Sequence, residues 1–543
     1  MKNKLYIITL AFGLLTGLSA CEKDFLDRKP LDTYSELDVW TDLNLVQTYV
    51  NSKYRALPHV YNWDVASGTG LSAASDEGYS KFNYESVFRW NDGSITADNL
   101  SMDSWSTDYG YIRDCNIFFE KIDGVRGEES LKKRLKGEMK VIRAWCYFDL
   151  ISRYGGVPLI TKAYTLSDTA FMVKRNTYAE CMNFISAELD DAVNLLPANY
   201  NSSDLGRISK GAAMALKSRA LLYAASPLNN PSNDKNKWQA ASDAAKAVID
   251  FANQGQYSLY QGADYKQIFL QKFNSEIILS YGMNGINWES LLDIFISPNS
   301  YHGWSVYAPS QNLVDAFQMA NGKSITDPAS GYNSTKPYEN RDPRFYASIL
   351  YNGATFKGRT VEYFDGGMDS PQSPVENWNA TLTGYNWRKY ADESNDLNTN
   401  GSTQNWIIFR LAEIYLNYAE AQFELGNEAT ALQYLNLVRS RNSVKMPAVV
   451  TSGELLKNAI QLERKIELCF EGHRFFDVRR WKTASQTENK PLRAVNITKN
   501  LDGSFNYTYY TLQERKFKEA NYLFPIPQYE REKNKLLTQN PLY

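Results

Sequence analysis

Residues 129–159 read ESLKKRLKGEMKVIRAWCYFDLISRYGGVPL, and this stretch decides the fold class. Its apolar side chains recur at spacings of three and four, at Leu131, Leu135, Met139, Ile142 and Cys146. That spacing predicts one apolar stripe on a helix from about 129 to 152. We expect the helix to end at Tyr154-Gly155-Gly156-Val157-Pro158, because two glycines and a proline do not continue helical geometry.

Similar periodicity further along the chain predicts helical hairpins. The Ala-rich stretches 210–226 and 238–252 form one pair, with prolines in the loop between them. A second pair is predicted from Ile407 to about Ser440, with Gly426-Asn427 as its turn. Its small residues lie near the spacing of tetratricopeptide hairpins, in which helices approach closely. The chain is therefore predicted to be mainly α.

One further helix is predicted at about 453–472. Its apolar face is assigned to Leu455, Ala459, Leu462, Ile466 and Cys469. Between the helical blocks lie polar and aromatic segments rich in turn residues, at 58–110, 283–310 and 352–405. Loops of such length in a compact domain are usually functional. We expect them, with a few short strands, to lie across the helical scaffold.

The first residues have the pattern of a bacterial lipoprotein signal. Lys2 and Lys4 precede an apolar run from Leu5 to about Leu18, and Leu18-Ser19-Ala20-Cys21 follows. The run is too short to span a bilayer of roughly 30 Å. We therefore interpret residues 1–20 as a signal peptide, Cys21 as the lipidated residue, and 21–40 as a tether. The alternative is an ordinary signal peptide with a chance cysteine.

Composition is that of an ordinary globular protein with unusually many aromatic residues. Of the 543 residues, 43% are apolar, 22% charged and 14% aromatic. The net charge is −2, or −4 once Lys2 and Lys4 are removed, and no basic tract stands out. Nucleic acid is therefore not indicated as a partner. Tyr and Trp at this frequency favour flat ligand surfaces as well as core packing.

The sequence contains few groups suited to catalysis or metal binding. Three histidines are widely separated, and no G-x-S-x-G, phosphate-loop or H-E-x-x-H motif occurs. No cofactor and no metal site is indicated, although two carboxylates at hydrolase spacing would not be visible in a sequence. Buried free thiols are favoured over a disulfide scaffold, with one bridge left open, for the remaining cysteines Cys115, Cys146, Cys181 and Cys469.

Several motifs in fixed order resemble one known family. The most specific block runs from Glu463 to Leu468 and then through Glu471-Gly472-His473-Arg474 to Trp481; its alternating acids and bases most simply form ion pairs. The ending Tyr522-Leu523-Phe524-Pro525-Ile526-Pro527 is equally specific. Other matching segments are Glu138–Ala144, Tyr154–Leu159, Gly206-Arg207, Asp342-Pro343-Arg344, Arg410–Leu416, Ala419-Glu420-Ala421, Asn436–Arg439 and Gln539-Asn540-Pro541. Together they resemble the SusD/RagB family of outer-membrane nutrient-binding lipoproteins.

This resemblance implies a fold and a function. The fold would be SusD-like, with tetratricopeptide-like hairpins as the scaffold of a single domain at 41–543, in which an N-terminal part covers about 41–255 and a C-terminal part about 270–543. The function would be capture of oligosaccharides without catalysis. The partner would be a SusC-like TonB-dependent transporter, over which the protein acts as a lid on the cell surface.

Candidate ligand residues come from two loop regions, 58–110 and 283–307, where similar proteins place their glycan site. Aromatic platforms cover sugar faces, and polar side chains pair with hydroxyls. The candidates are Trp63, Asp76, Trp90, Asn91, Trp288, Tyr301 and Trp304. By contrast, Trp105, Trp145, Trp238, Trp406 and Trp481 are assigned to packing. Two alternative functions stay open: capture of peptides or proteins, and surface glycoside hydrolysis.

Overall fold

The computed structural model describes residues 36–59, 69–82, 87–165, 167–168, 172–283 and 290–543. The fold is mainly helical, with short antiparallel strand pairs between the helical blocks. The predicted fold class is therefore confirmed. Cys21 and the signal and tether segments up to residue 35 lie outside the described residues.

The N-terminal half contributes most of the long helices. They and the shorter helices of this half are α1 (Glu36–Val39), α2 (Leu43–Lys53), α3 (Thr69–Ala73), α4 (Phe88–Asn91), α5 (Trp105–Lys121), α6 (Glu129–Tyr154), α7 (Tyr178–Leu195), α8 (Lys210–Ala225) and α9 (Lys235–Phe251). The predicted helix at 129–152 is α6, and it ends where Gly155 takes a φ of 74°. Helices α8 and α9 are the first predicted hairpin.

The C-terminal half alternates short helices with loops before three long helices. Its helices are α10 (Gln267–Leu270), α11 (Leu292–Ile296), α12 (Gln311–Ala316), α13 (Pro343–Ser348), α14 (Leu411–Glu424), α15 (Glu428–Ser440), α16 (Gly453–Glu467), α17 (Arg474–Arg480), α18 (Ala484–Thr487) and α19 (Gln528–Lys533). The predicted turn at Gly426-Asn427 joins α14 to α15.

The long helices pack in series. Each helix from α5 to α8 contacts the next one along the chain, α9 contacts α14, and α14 contacts both α15 and α16. Small residues permit close approach: a Cβ at Gly137 of α6 would lie 2.7 Å from a side-chain carbon of Leu196, directly after α7. The scaffold is therefore a row of antiparallel helical hairpins, as the tetratricopeptide-like spacing predicted.

Short strands tie distant loops to this scaffold. They are β1 (Gly78–Ser80), β2 (Ile277–Tyr281), β3 (Tyr307–Pro309), β4 (Ile349–Leu350), β5 (Thr355–Phe356), β6 (Arg359–Thr360), β7 (Asn386–Trp387), β8 (Trp406–Arg410), β9 (Leu492–Lys499) and β10 (Phe505–Gln513). The antiparallel pairs are β1–β3, β2–β8, β4–β7, β5–β6 and β9–β10. Most of these pairs join segments far apart in the sequence, so the loops are held by tertiary contacts.

The start of the second predicted hairpin is wrong. Residues 406–410 form β8, not helix, and Ile407 pairs with Ser280 of β2. All five residues of β8 are buried. A short apolar run does not distinguish a buried strand from a helix start by its periodicity, and here pairing with a distant strand decides the outcome.

The helix predicted at about 453–472 is α16, and the face assigned to it is confirmed only in part. Ile466 and Cys469 are buried, and Ala459 and Leu462 are partly buried, but Leu455 is not. Leu455 is 68% exposed, whereas Leu456, Ile460, Glu463 and Glu467 are buried. The helix turns Glu463 and Glu467 inward because arginines from distant segments reach them. Arg410 and Arg344 lie 2.7 and 2.9 Å from carboxylate oxygens of Glu467. The ion pairs predicted for 463–481 therefore exist, and they determine which face of α16 is buried.

One hydrophobic cluster extends from Leu43 to Leu537 and joins both halves of the chain. The tryptophans assigned to packing are all buried, namely Trp105, Trp145, Trp238, Trp406 and Trp481. Cys115, Cys146, Cys181 and Cys469 are buried free thiols, which confirms the prediction made for them.

Candidate binding groove

The structure divides the predicted ligand residues into interior and surface positions. Trp90 is only 3% exposed. Its ring packs against Phe524, with centroids 4.1 Å apart, and against Phe475 at 5.7 Å. Its indole N–H donates to the Ser101 carbonyl at 3.2 Å. Trp90 is therefore a core residue, and the expectation that it stacks on a sugar does not agree with its position.

Asp76 and Asn91 also stabilise the protein interior. Arg474 Nε and Lys465 Nζ lie 2.7 and 2.8 Å from the two carboxylate oxygens of Asp76. Although burial raises the pKa of Asp76, these two cations bring it below its ordinary value. Asn91 is 4% exposed and donates from its amide to the Ala73 carbonyl at 3.2 Å. Both side chains fix the loop before β1 rather than meet a ligand.

Trp63 and Trp288 lie outside the described residues, which omit 60–68 and 284–289. Their ligand role stays a prediction. The remaining two candidates, Tyr301 and Trp304, lie together next to a surface groove of about 640 Å³. The described residues that line this groove are Leu291, Ile294, Asn299, Ser300, His302, Trp304, Val375, Glu376, Asn379 and Leu397.

A tight turn presents Trp304 to the groove. Residues Asn299–Tyr301 form a 3₁₀ turn, and His302 follows with a left-handed φ of 61°. A Cβ on Gly303 would lie 2.1 Å from the Ser297 carbonyl oxygen, so this position requires glycine. The backbone N–H of Trp304 then donates to the Ile294 carbonyl at 2.7 Å. The half-buried Trp304 ring packs at 5.9 Å from Phe295, while the side chain lines the groove.

The opposite wall is the loop 375–379. Trp378 is 76% exposed and Val375 is 67% exposed, which are large values for apolar side chains. The loop is nevertheless anchored, because Lys81 Nζ donates to the carbonyls of Trp378 and, at 2.8 Å, Ala380. Burial lowers the pKa of Lys81 to about 8. The loop therefore presents an exposed indole from a fixed backbone.

Asn299 joins the two walls. Its amide nitrogen donates to the carbonyls of Met368, at 3.3 Å, and Glu376. Its Oδ1 atom is buried and has no hydrogen-bond partner among the residues that the structure describes. A buried acceptor without a partner costs about 1–3 kcal/mol, so this atom is suited to receive a donor.

Tyr301 supports the groove from behind. Its hydroxyl donates to the Phe356 carbonyl at 2.9 Å, and the Arg359 guanidinium lies 4.3 Å above its ring. Arg359 in turn pairs with the buried Asp369 at 2.9 Å. Burial raises the pKa of Tyr301 to about 12. Because a cation already covers one face of this ring, we assign Tyr301 to positioning rather than to stacking.

The groove combines the two elements that a carbohydrate site requires. Trp304 lines the groove with aromatic surface, and Asn299, His302, Glu376 and Asn379 offer hydrogen-bonding groups. The exposed Trp378 lies on the loop that forms the opposite wall. The described residues that line the groove include one acidic side chain, Glu376. Glycoside hydrolysis generally uses two carboxyl groups about 5–9.5 Å apart. No group of three or more His, Cys, Asp or Glu positioned to hold a metal occurs among the described residues.

Sequence reasoning missed the loop 375–379. The length of the polar segment 352–405 indicates a functional loop, but none of its residues is among the predicted ligand residues. Trp378 lies in a polar context, Ser373-Pro374-Val375-Glu376-Asn377-Trp378-Asn379. A tryptophan between asparagines in a turn-rich loop has no helical or strand pattern to bury it, and that signal could have identified it.

Comparison with known proteins agrees with the fold. Residues 252–543 match the family described as the SusD family, and residues 24–222 match one described as starch-binding and associating with the outer membrane. A SusD-like protein of Bacteroides fragilis is 32% identical, with 95% of this chain and 100% of that chain covered and a TM-score of 0.81. The chain therefore belongs to the SusD family.

Two further relatives carry ligand names. A SusD-like carbohydrate-binding protein of Bacteroides fragilis is 25% identical over 92% of this chain and 100% of that one, with a TM-score of 0.78. The starch-binding protein SusD of Bacteroides thetaiotaomicron is 24% identical over 88% of this chain and 90% of its own. The family is associated with the outer membrane. Among the described residues, no helix has the length and hydropathy needed to cross a bilayer.

Proposed function

We propose that this protein captures oligosaccharides in the groove between Trp304 and the loop 375–379. The observation that carries the proposal is the exposed indole of Trp378, 76% accessible on an anchored loop whose residues Val375, Glu376 and Asn379 line the groove together with the half-buried Trp304. Large exposed apolar surfaces rimmed by polar groups mark binding sites. Two relatives are named as carbohydrate-binding and starch-binding proteins, which supports a glycan as the ligand.

We also propose how the protein is anchored and where the captured glycan goes. Cys21 carries the lipid anchor, and residues 41–543 act as one domain, which the continuous hydrophobic cluster supports. The bound glycan is passed to a SusC-like TonB-dependent transporter, with the protein as a lid. The protein is a binder without catalytic activity, because the groove offers one acid, Glu376, among its described lining residues.

The test is a glycan array with the purified protein, followed by an assay for new reducing ends on each glycan that binds. We expect binding to one class of oligosaccharide and no turnover. A matched pair of variants identifies the site: Trp378→Ala removes the exposed ring on the loop that walls the groove, and Phe273→Ala removes a ring that is 47% exposed elsewhere. Robust turnover, or a blank array with peptide binding, would replace this proposal with one of its alternatives.

A further inference from the structure

A second cavity, of about 550 Å³, lies within the helical scaffold. It is formed by residues 55–59, helices α5, α6 and α8, strand β8 and the segment 471–476. Its described lining residues include none of those that line the groove. The volume falls within the range of roughly 300–1,000 Å³ that is typical of small-molecule sites.

Aromatic rings form much of the cavity wall. Trp145 and Phe148 come from α6, Tyr223 from α8, and Trp406 from β8. The Trp145 and Trp406 indole N–H groups and the Tyr223 hydroxyl make no hydrogen bond to another described residue. Each of these groups is a donor that a buried ligand could satisfy. A wall of this kind combines flat apolar faces with uncharged donors.

Charged groups in the wall are already paired with the protein. Asp149 accepts from Arg153 Nε and from Ser104 Oγ at 2.8 and 2.7 Å. Arg219 donates from Nε to Glu413 at 2.7 Å. A charged ligand would therefore compete with existing ion pairs and leave one of their members without its partner, which is costly in a buried site.

Asp108 is the exception in this wall. It is 5% exposed, and its Oδ2 atom has no hydrogen-bond partner among the described residues. Burial, and after it the neighbouring Asp149, raises the pKa of Asp108 well above its ordinary value. A carboxyl oxygen accepts a hydrogen bond when ionised and can also donate one when protonated, so Oδ2 can pair with a sugar hydroxyl in either state. Burial also lowers the pKa of His473, another lining residue, well below its ordinary value, so its ring stays neutral.

We propose that this cavity is a second ligand site, which takes a neutral polyhydroxylated molecule of mono- to disaccharide size. The aromatic faces cover the C–H surfaces of the sugar ring, while Asp108, Tyr223 and the two indoles pair with its hydroxyls. Polar groups that line a cavity require hydrogen-bond partners, which water supplies until a ligand with matching hydroxyls displaces it. The site is independent of the groove and does not require the groove to bind the same sugar.

The test uses the full mature protein and a panel of neutral probes, namely glucose, galactose, mannose, N-acetylglucosamine, maltose, cellobiose and lactose. Glucosamine and glucuronate serve as the charged probes. Saturation-transfer NMR identifies binding, and calorimetry measures it. Tyr223→Phe removes only a hydroxyl that makes no hydrogen bond to another described residue, so the fold is kept. We expect this variant to bind the sugar about three- to tenfold more weakly.

A second variant blocks the cavity from its mouth. Thr107 is exposed and lines the cavity, so Thr107→Trp places a bulky ring at the entrance without disturbing the core. Arg113→Trp adds the same ring at an exposed position on α5 that does not line the cavity. We expect Thr107→Trp to abolish binding, and Arg113→Trp and Trp378→Ala to leave it unchanged.

Three results would overturn the proposal: no neutral sugar binds, only the charged probes bind, or every bound sugar is lost in Trp378→Ala and kept in Thr107→Trp. The last result would assign all binding to the groove and would leave the proposed function intact. Conversely, a Trp378→Ala variant that loses only the groove ligand and still binds the small sugar supports the second site.

Discussion

The guanidinium of Arg359 lies 4.3 Å above the ring of Tyr301 and is paired with the buried carboxylate of Asp369 at 2.9 Å. Asp369 also accepts from the Ser300 hydroxyl and from the Glu362 N–H, the latter at 2.8 Å. One arginine therefore connects the turn 299–301, which lines the groove, to the strand and loop behind it. The shape of the groove depends on this connection.

Arg359→Ala is expected to destabilise the protein and weaken ligand binding together. The substitution leaves Asp369 buried with fewer partners, which costs about 1–3 kcal/mol of unfolding free energy. Urea unfolding measures this loss, and calorimetry measures the ligand affinity. Arg359→Lys keeps the charge but loses the planar contact, so it should recover part of the stability only. An Arg359→Ala protein with wild-type stability and affinity would contradict this role.

Trp90→Ala is expected to reduce stability rather than act on the ligand site. Trp90 is 3% exposed and packs against Phe524 and Phe475, so its removal leaves a cavity. The expected loss of unfolding free energy is about 3–5 kcal/mol. By contrast, Trp378→Ala at an exposed site should change stability by less than about 0.5 kcal/mol. Equal stabilities of the two variants in chemical denaturation would contradict these positions.

Glu77 is expected to make stability fall as pH rises. Burial, and after it Asp76, raises the pKa of Glu77 to about 8, whereas an unfolded glutamate titrates near about 4.3. Between these values the folded state binds the extra proton, so unfolding free energy decreases with pH, by up to about 1.4 kcal/mol per unit.

Glu77→Gln should remove that decrease, which urea unfolding at about pH 5, 6.5 and 8 measures. Glu454→Gln, at a side chain that is 79% exposed, is the matched control. Parallel pH profiles for the wild-type protein and Glu77→Gln would show that Glu77 is ionised in the folded state and would refute the prediction.

Cys21→Ser is expected to release the protein from the membrane. If Cys21 is the acylated residue, its substitution removes the acyl chains, and stable anchoring requires more than one such signal. Fractionation of cells that express the variant should find it outside the membrane fraction. Glu22→Gln, which keeps the cysteine, is the control. A Cys21→Ser protein that stays in the membrane fraction would mean that another segment or a partner holds it.

The scaffold was predictable because it depends on local patterns. The apolar period of residues 129–152 and the glycines at 155 and 156 define α6 without any distant contact. Prediction failed where contacts with distant residues determine the secondary structure or the buried face of a segment. Ile407 lies in a strand because β2 pairs with it, and α16 turns Glu463 and Glu467 inward because arginines far away in the sequence reach them.

The binding groove was predictable by region but not by residue. Trp304 was found because it lies in an aromatic, turn-rich loop. Trp90 lies in a similar context, but Phe475 and Phe524 cover it, and they follow it by more than 380 residues in the chain. Trp378 was missed because nothing local indicates that its loop closes against residues 299–304. Burial of an aromatic loop residue is a tertiary property.

The central claim is that the groove between Trp304 and the loop 375–379, which carries the exposed Trp378, binds oligosaccharide. The most direct measurement is isothermal titration calorimetry of the oligosaccharide that binds on the array, with wild-type, Trp304→Ala, Trp378→Ala and Phe273→Ala proteins. We expect each groove variant to bind at least about tenfold more weakly, which corresponds to about 1.4 kcal/mol, and Phe273→Ala to match the wild type. Wild-type affinity in both groove variants would contradict the claim.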